Sequence, residues 1–148
     1  MTTDLDLGVL SAQVLFALQK ELFRRLAEQG HPELRPRHGA VLAYLDPAGS
    51  RATDLAFQSG QHKQVIGTLV DELEALGYVR RHPDPQDRRA KLVVPTERGL
   101  DQRRRSTAIL ADIERGHAEA VGAEAYANFK DVLAKVAARQ RAGGPPRD

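Results

Sequence analysis

The run Asp84-Pro85-Gln86-Asp87-Arg88-Arg89, with Lys91 just beyond it, gathers acids and bases into one short polar stretch. Such groups do no covalent chemistry by themselves. They recognise phosphate, because Lys and Arg neutralise it and Arg presents a planar fork of donors. Between Arg80 and Lys91, five basic residues (Arg80, Arg81, Arg88, Arg89 and Lys91) stand against Asp84 and Asp87, a local excess of three positive charges beside His82. The net charge of the chain is only +2, so position carries the signal and the total does not. A second polar group, Gln61, His62, Lys63, Gln64 and Thr68, opens an apolar helical pattern. Gln64 suits a bidentate contact with adenine, and Lys63 a contact with guanine O6 and N7 or with a phosphate.

Other chemistries find little support. With 0 Cys there is no disulfide framework, thiol switch or Cys-based zinc site. A metal sensor built on His31, His38 and His117 with Glu33 or Glu114 is the next idea, but no pair of these has the tight spacing of a zinc motif. There is no Gly-rich phosphate loop, nucleophile elbow or His-Glu-x-x-His pattern, and Asp71 and Glu72 point to different faces of a helix. An enzyme is not expected, nor a cofactor or a resident metal. No stretch has the length of a membrane span, and Asp4 and Asp6 before Leu7 are too acidic for a signal peptide. The expectation is a cytoplasmic protein.

As for the elements that must hold these polar groups, 148 residues suffice for one domain, 1–148. At 41% apolar and 5% aromatic residues, with no Trp, the core has to be built from Leu, Val and Ala, which favours helices. The segment from about Asp6 to Glu28 carries Leu10, Val14, Leu18, Leu22 and Leu26 at four-residue spacing, with Leu15, Phe16 and Phe23 alongside. This apolar surface is wider than one stripe, so it predicts burial against more than one neighbour. Gly30 and Pro32 stop the helix. A second helix is predicted from Pro36 to Pro47, and a short third one with Ser50 as N-cap.

The fourth helix, from about His62 to Leu76, has Val65, Ile66, Leu69, Val70, Leu73 and Leu76 inward and Gly77 as its stop. Two helices joined at Ser59, Gly60 and Gln61 make a helix-turn-helix. Tyr78 to His82 and Lys91 to Val94 read as strands of a hairpin whose loop holds Pro83 to Asp87. Thr96 caps a fifth helix reaching about Gly116, and a last one runs from Ala123 to Arg141, with a disordered tail at 142–148.

This order of elements resembles the MarR family of bacterial transcription regulators. The run Leu69-Val70-Asp71-Glu72-Leu73-Glu74-Ala75-Leu76-Gly77-Tyr78-Val79 looks like that family's recognition-helix exit. Asp84 to Arg89, followed by Thr96-Glu97-Arg98-Gly99, looks like its wing and the start of its next helix. The fold implied is mainly α with a small β-hairpin wing, a winged helix-turn-helix at 35–96 between dimerisation helices at 5–30 and 97–141. The resemblance further implies a homodimer on double-stranded DNA, with Arg89 in the minor groove, Asp87 in a salt bridge that aims it, and Arg88 and Lys91 on phosphates. It also implies a small aromatic or phenolic anion as effector, for which His38, Arg24 and Tyr44 are candidates by position alone. His62 stands where Ser or Thr is frequent, Gly67 where a small polar residue is common, and Thr68 where Arg or Lys often holds a phosphate. A winged helix used as a protein-docking surface is the rival, and it predicts weak, salt-insensitive DNA binding.

Overall fold

Asp6 starts the first helix, α1 (Leu7–Glu28), by accepting the Val9 N–H at 2.9 Å. In the computed structural model, which describes residues 4–143, the chain forms two compact units, one up to Ile109 and one from Leu110 onward. After α1 the chain makes a single 3-10 turn (Pro36–His38), α2 (Gly39–Leu42), β1 (Ser50–Arg51), α3 (Ala52–Ser59) and α4 (Lys63–Ala75). The hairpin β2 (Val79–Asp84) and β3 (Asp87–Pro95) follows, then α5 (Glu97–Val121) and α6 (Ala123–Ala142). The fold is therefore mainly helical, with a small antiparallel sheet in the order β1-β3-β2.

Several boundaries differ from the sequence expectation. The second helix is shorter, because Pro36 starts a 3-10 turn and the α-helical part ends at Leu42. Ser50 does not cap the third helix. It lies in β1 opposite Val93, and its hydroxyl accepts the Asp46 N–H at 3.0 Å, so Arg51 takes the cap position without a side-chain bond. The hairpin loop is only Pro85 and Gln86, since both strands reach the Asp84↔Asp87 pair. Gly116 lies inside α5, which continues to Val121 before Gly122 turns the chain at φ 99°. Of the expected tail, Ala142 ends α6, Gly143 follows in a turn, and 144–148 lie outside the described residues.

In the first unit Ile66, Leu69, Val70 and Leu73 of α4 are buried with Val41, Leu45, Leu55, Val79, Val93 and Ile109. Aliphatic side chains at these spacings are what the helical periodicity predicts for a core face. α1 behaves differently. Only Leu26 is buried, while Leu7, Leu10, Val14, Leu15 and Phe16 are exposed, Phe16 by 68%. The second unit shows the same feature on α6, where Phe129, Val132, Leu133 and Val136 are exposed. Within that unit the Tyr126 hydroxyl donates to Glu114 Oε1 at 2.7 Å, and burial with this bond pushes its pKa up to about 12.

The exit of α4 is locked to the start of α5. Thr96 Oγ1 donates to the Gly77 carbonyl at 2.6 Å and accepts the Gly99 N–H at 3.2 Å, capping α5 as expected. The Thr96 N–H reaches the Tyr78 carbonyl at 3.0 Å. Arg98 donates to the Leu76 carbonyl at 2.6 Å and lies 4.5 Å over the Tyr78 ring. A Cβ on Gly99 would stand 2.2 Å from the Tyr78 carbonyl oxygen, so only glycine fits. Gly67, in the middle of α4, is the opposite case, since a Cβ placed there would meet nothing within 4 Å. Two alanine variants should then move in opposite directions in urea unfolding. Gly99→Ala is expected to lose about 2 kcal/mol from the forced backbone shift. Gly67→Ala is expected to gain about 0.5–1 kcal/mol from reduced chain entropy; equal effects would refute the close approach at Gly99.

Candidate nucleic-acid interface

The N-terminal half of α4 presents a polar edge because Ile66 and Leu69 turn the opposite side of the helix to the core. Gln61, His62, Lys63, Gln64 and Thr68 are all exposed. His62 is the N-cap but makes no side-chain capping bond, so its ring is left for other partners. Thr68 Oγ1 donates to the Gln64 carbonyl at 3.2 Å. Val65, expected inward, is 40% exposed and lies on this same polar half of the helix. Its position adds an apolar group of the kind that meets a thymine methyl.

The hairpin presents the second group. Pro83 pairs with Lys91 and Asp84 with Asp87, so one step on β2 corresponds to four on β3, and Arg88, Arg89 and Ala90 form a bulge. Arg88, Arg89 and Lys91 are exposed. Asp84 fixes the turn. It is buried, accepts the Gln86 N–H at 2.9 Å, and takes Arg51 Nη2 at 2.6 Å and Nε at 2.9 Å. The Gln86 amide, and then the Arg51 guanidinium, hold its carboxyl below the usual carboxylate range, and the Asp84 carboxylate in turn raises Arg51 above its own. Asp87 supports the bulge through the backbone: its carboxylate accepts the Arg89 N–H at 3.1 Å. The ion pair of the wing is thus Arg51 with Asp84, and in place of the salt bridge expected between Asp87 and Arg89 the structure has a bond to the Arg89 amide.

Charge pairing on α4 is equally specific. Asp71 and Glu74 face Arg81 of β2, at 2.8 Å and 3.0 Å. Arg81 therefore leaves the set of unpaired bases counted from sequence. Arg80, Arg88, Arg89 and Lys91 have no ion pair among the described residues. Glu72 accepts from Arg37 Nε at 3.0 Å and from His38 Nε2 at 2.9 Å. His38 is buried, and its Nδ1 accepts the Arg35 N–H at 2.9 Å. This arrangement fixes the tautomer: the ring proton sits on Nε2, and a second proton on Nδ1 would meet the amide hydrogen head-on.

The remaining candidates are scattered. His31 joins Tyr78 (Nδ1 to Oη, 2.7 Å) and Asp101 (Nε2 to Oδ2, 2.8 Å). The His31 bond, then Arg105, lowers the Asp101 pKa, while burial raises that of Tyr78. Arg24 pairs with Glu28 at 3.0 Å on the α1 surface. Tyr44 lines an open cleft of about 590 Å³ with Arg51, Phe57 and Arg103, bordered by Asp46 and Asp54. No bond joins Arg24, His38 and Tyr44. His31 and His38 are each engaged in a separate network, and no cluster of metal-ligating side chains occurs among the described residues. No helix among them is long and apolar enough to cross a membrane.

The sequence model of the MarR family matches residues 33–90. Curated proteins give no significant match. Among solved structures, a MarR-family transcriptional regulator from Rhodococcus sp. RHA1 is 28% identical, with 89% of this chain and 94% of that one covered and a TM-score of 0.71. CouR from Rhodococcus jostii RHA1, solved bound to p-coumaroyl-CoA, is 30% identical over 89% and 92% of the two chains, with a TM-score of 0.72. The repressor CouR bound to a 23-mer DNA duplex aligns at 24% identity over 89% and 92%, with a TM-score of 0.73.

Burial, and then the neighbouring arginines, lower the His38 pKa below its ordinary value, although the Glu72 bond opposes them. Protonation therefore favours the unfolded chain, whose histidine titrates near ~6.5. The contribution is complete above that value and is lost as pH falls through the lower folded one. His38→Gln, which takes no proton, should show a smaller drop in urea midpoint than the wild type between about pH 7.5 and about pH 5.5. An identical drop in both would contradict a neutral, tautomer-locked His38.

Proposed function

The chain belongs to the MarR family of transcription regulators, and from that premise we propose that it is a sequence-specific repressor that grips a pseudopalindromic operator as a homodimer and is released by a small molecule. The family's members are regulators and not enzymes. The observation that carries the reading is the presence of two exposed groups, the polar edge of α4 and Arg88, Arg89 and Lys91 of the bulged wing, beside acids of α4 that cations of the chain already hold.

The N-terminal half of a second helix in a helix-turn-helix faces base edges in the major groove. Gln64 and Lys63 supply the hydrogen-bonding groups there, with Gln61, His62 and Thr68 beside them and Val65 as an apolar contact. Arg89 enters the minor groove, where a narrow A·T-rich stretch concentrates negative potential. Arg88 and Lys91 take phosphates and make binding salt-dependent. CouR, solved on a DNA duplex, supports this reading of a shared fold.

The homodimer is supported by the exposed apolar residues that α1 and α6 each carry, since clustered apolar side chains at a surface mark sites of protein contact. Two copies related by a two-fold axis place half-sites about one helical turn, ~10 bp, apart. For the effector we propose a small aromatic or phenolic anion, in keeping with the p-coumaroyl-CoA bound to CouR. Such a ligand releases DNA only by binding one spacing of the two reading heads better than the other.

Arg89→Ala is expected to weaken operator binding more than tenfold at fixed salt, on the order of 1.4 kcal/mol or above. Gel-shift titration on a duplex selected by the wild type measures this, and unchanged affinity would remove the wing from the interface.

A further inference from the structure

α4 carries three acids in its second half, Asp71, Glu72 and Glu74, on the helix proposed to enter the major groove. Unpaired carboxylates there would repel DNA. Glu72 is turned inward to His38 and Arg37. The other two are gathered by one residue of β2. Arg81 Nη2 stands 2.8 Å from Asp71 Oδ1 and Nη1 stands 3.0 Å from Glu74 Oε1. The Arg81 backbone N–H also donates to Glu74 Oε2 at 3.2 Å, and the guanidinium leans on the Gly67 carbonyl at 3.5 Å. A single strand residue thus touches three successive turns of the helix.

The backbone of Arg81 is itself fixed, paired in register with Val93, which is buried. Exposed ion pairs of this type contribute little to stability. Their consequence here is geometric and electrostatic. The fork of Arg suits two carboxylates at once, which a lysine ammonium, a single point charge, matches poorly. Arg80, the neighbouring residue on the same strand, has no such partner among the described residues and is exposed.

We propose that Arg81 is a positioning residue for DNA reading, drawing Asp71 and Glu74 to the base of the hairpin and masking their charge from the duplex without itself touching DNA. The role rests on the DNA-binding function proposed above. It predicts a behaviour that a phosphate contact does not: the loss of Arg81 is repaired by removing the acids it serves.

The test uses a duplex selected from a random pool by the wild-type protein, with affinity followed as a function of salt for Arg81→Gln, Arg81→Lys and the triple variant Arg81→Gln, Asp71→Asn, Glu74→Gln. Arg81→Gln should lose about tenfold in affinity for the selected duplex, with Arg81→Lys between it and the wild type. The triple variant should recover most of that loss and keep the wild-type salt slope. A triple variant as weak as Arg81→Gln would overturn the proposal at any salt slope, and a slope smaller by about one would make Arg81 a phosphate contact instead. Wild-type affinity in Arg81→Gln would also overturn it. Thermal midpoints of all variants separate these effects from unfolding, and the triple variant decides the matter even where Arg81→Gln is destabilised. If the wild type selects no duplex at any salt, the DNA-binding function itself fails, and the role of Arg81 falls with it.

Discussion

The contact on which the rest of this structure hangs is the approach of Gly99 to the Tyr78 carbonyl, so close that a methyl group would stand 2.2 Å from the oxygen. It brings the first turn of α5 against the exit of α4. Thr96 and Arg98 then satisfy the carbonyls of Gly77 and Leu76, the two residues that follow α4. β2 begins immediately after, at Val79, so the direction in which the hairpin leaves the helix is set at this junction. The two stretches that resemble the MarR family, around Gly77 and around Thr96, are therefore one physical unit.

From this junction outward, four acids are held by cations of the chain while several bases are left unpaired at the surface. Asp84 is held by Arg51 across the sheet, Glu72 by His38 and Arg37, and Asp71 and Glu74 by Arg81. Among the described residues no buried side-chain polar atom lacks a partner, so the networks cost no unmade hydrogen bond. Lys63, Arg80, Arg88, Arg89 and Lys91 have no such acid partner among those residues. A chain with a net charge of only +2 thereby presents a basic edge, because the pairing is uneven.

Much of this was legible in the sequence, for identifiable reasons. The helical core face of α4, the stop at Gly77, the cap at Thr96 and the hairpin all rest on local patterns, and local patterns survive folding. What depends on distant partners was not legible. β1 is two residues long and exists only because Ser50 and Arg51 meet Val93 and Leu92. That same pairing took Ser50 away from its expected cap. Val65 falls within the apolar periodicity but at its edge, so periodicity assigned it inward when it is exposed. In the wing, the salt bridge expected between Asp87 and Arg89 is replaced by a bond from the Arg89 amide, and the ion pair belongs to Asp84 and Arg51, thirty-odd positions apart in sequence. Gly99 stands in the motif Thr96-Glu97-Arg98-Gly99, but the reason for a glycine there, a carbonyl 21 positions earlier, is a tertiary fact.

The central claim is that two copies of α4 and its bulged wing read one duplex. Hydroxyl-radical footprinting of the wild-type protein on a duplex it has selected tests that claim most directly. Two equivalent protected segments are expected about one helical turn, ~10 bp, apart on one face of the DNA, each flanked by protection in a minor groove. A single unrepeated segment would contradict the dimeric arrangement, and uniform or absent protection would contradict sequence reading by this chain altogether.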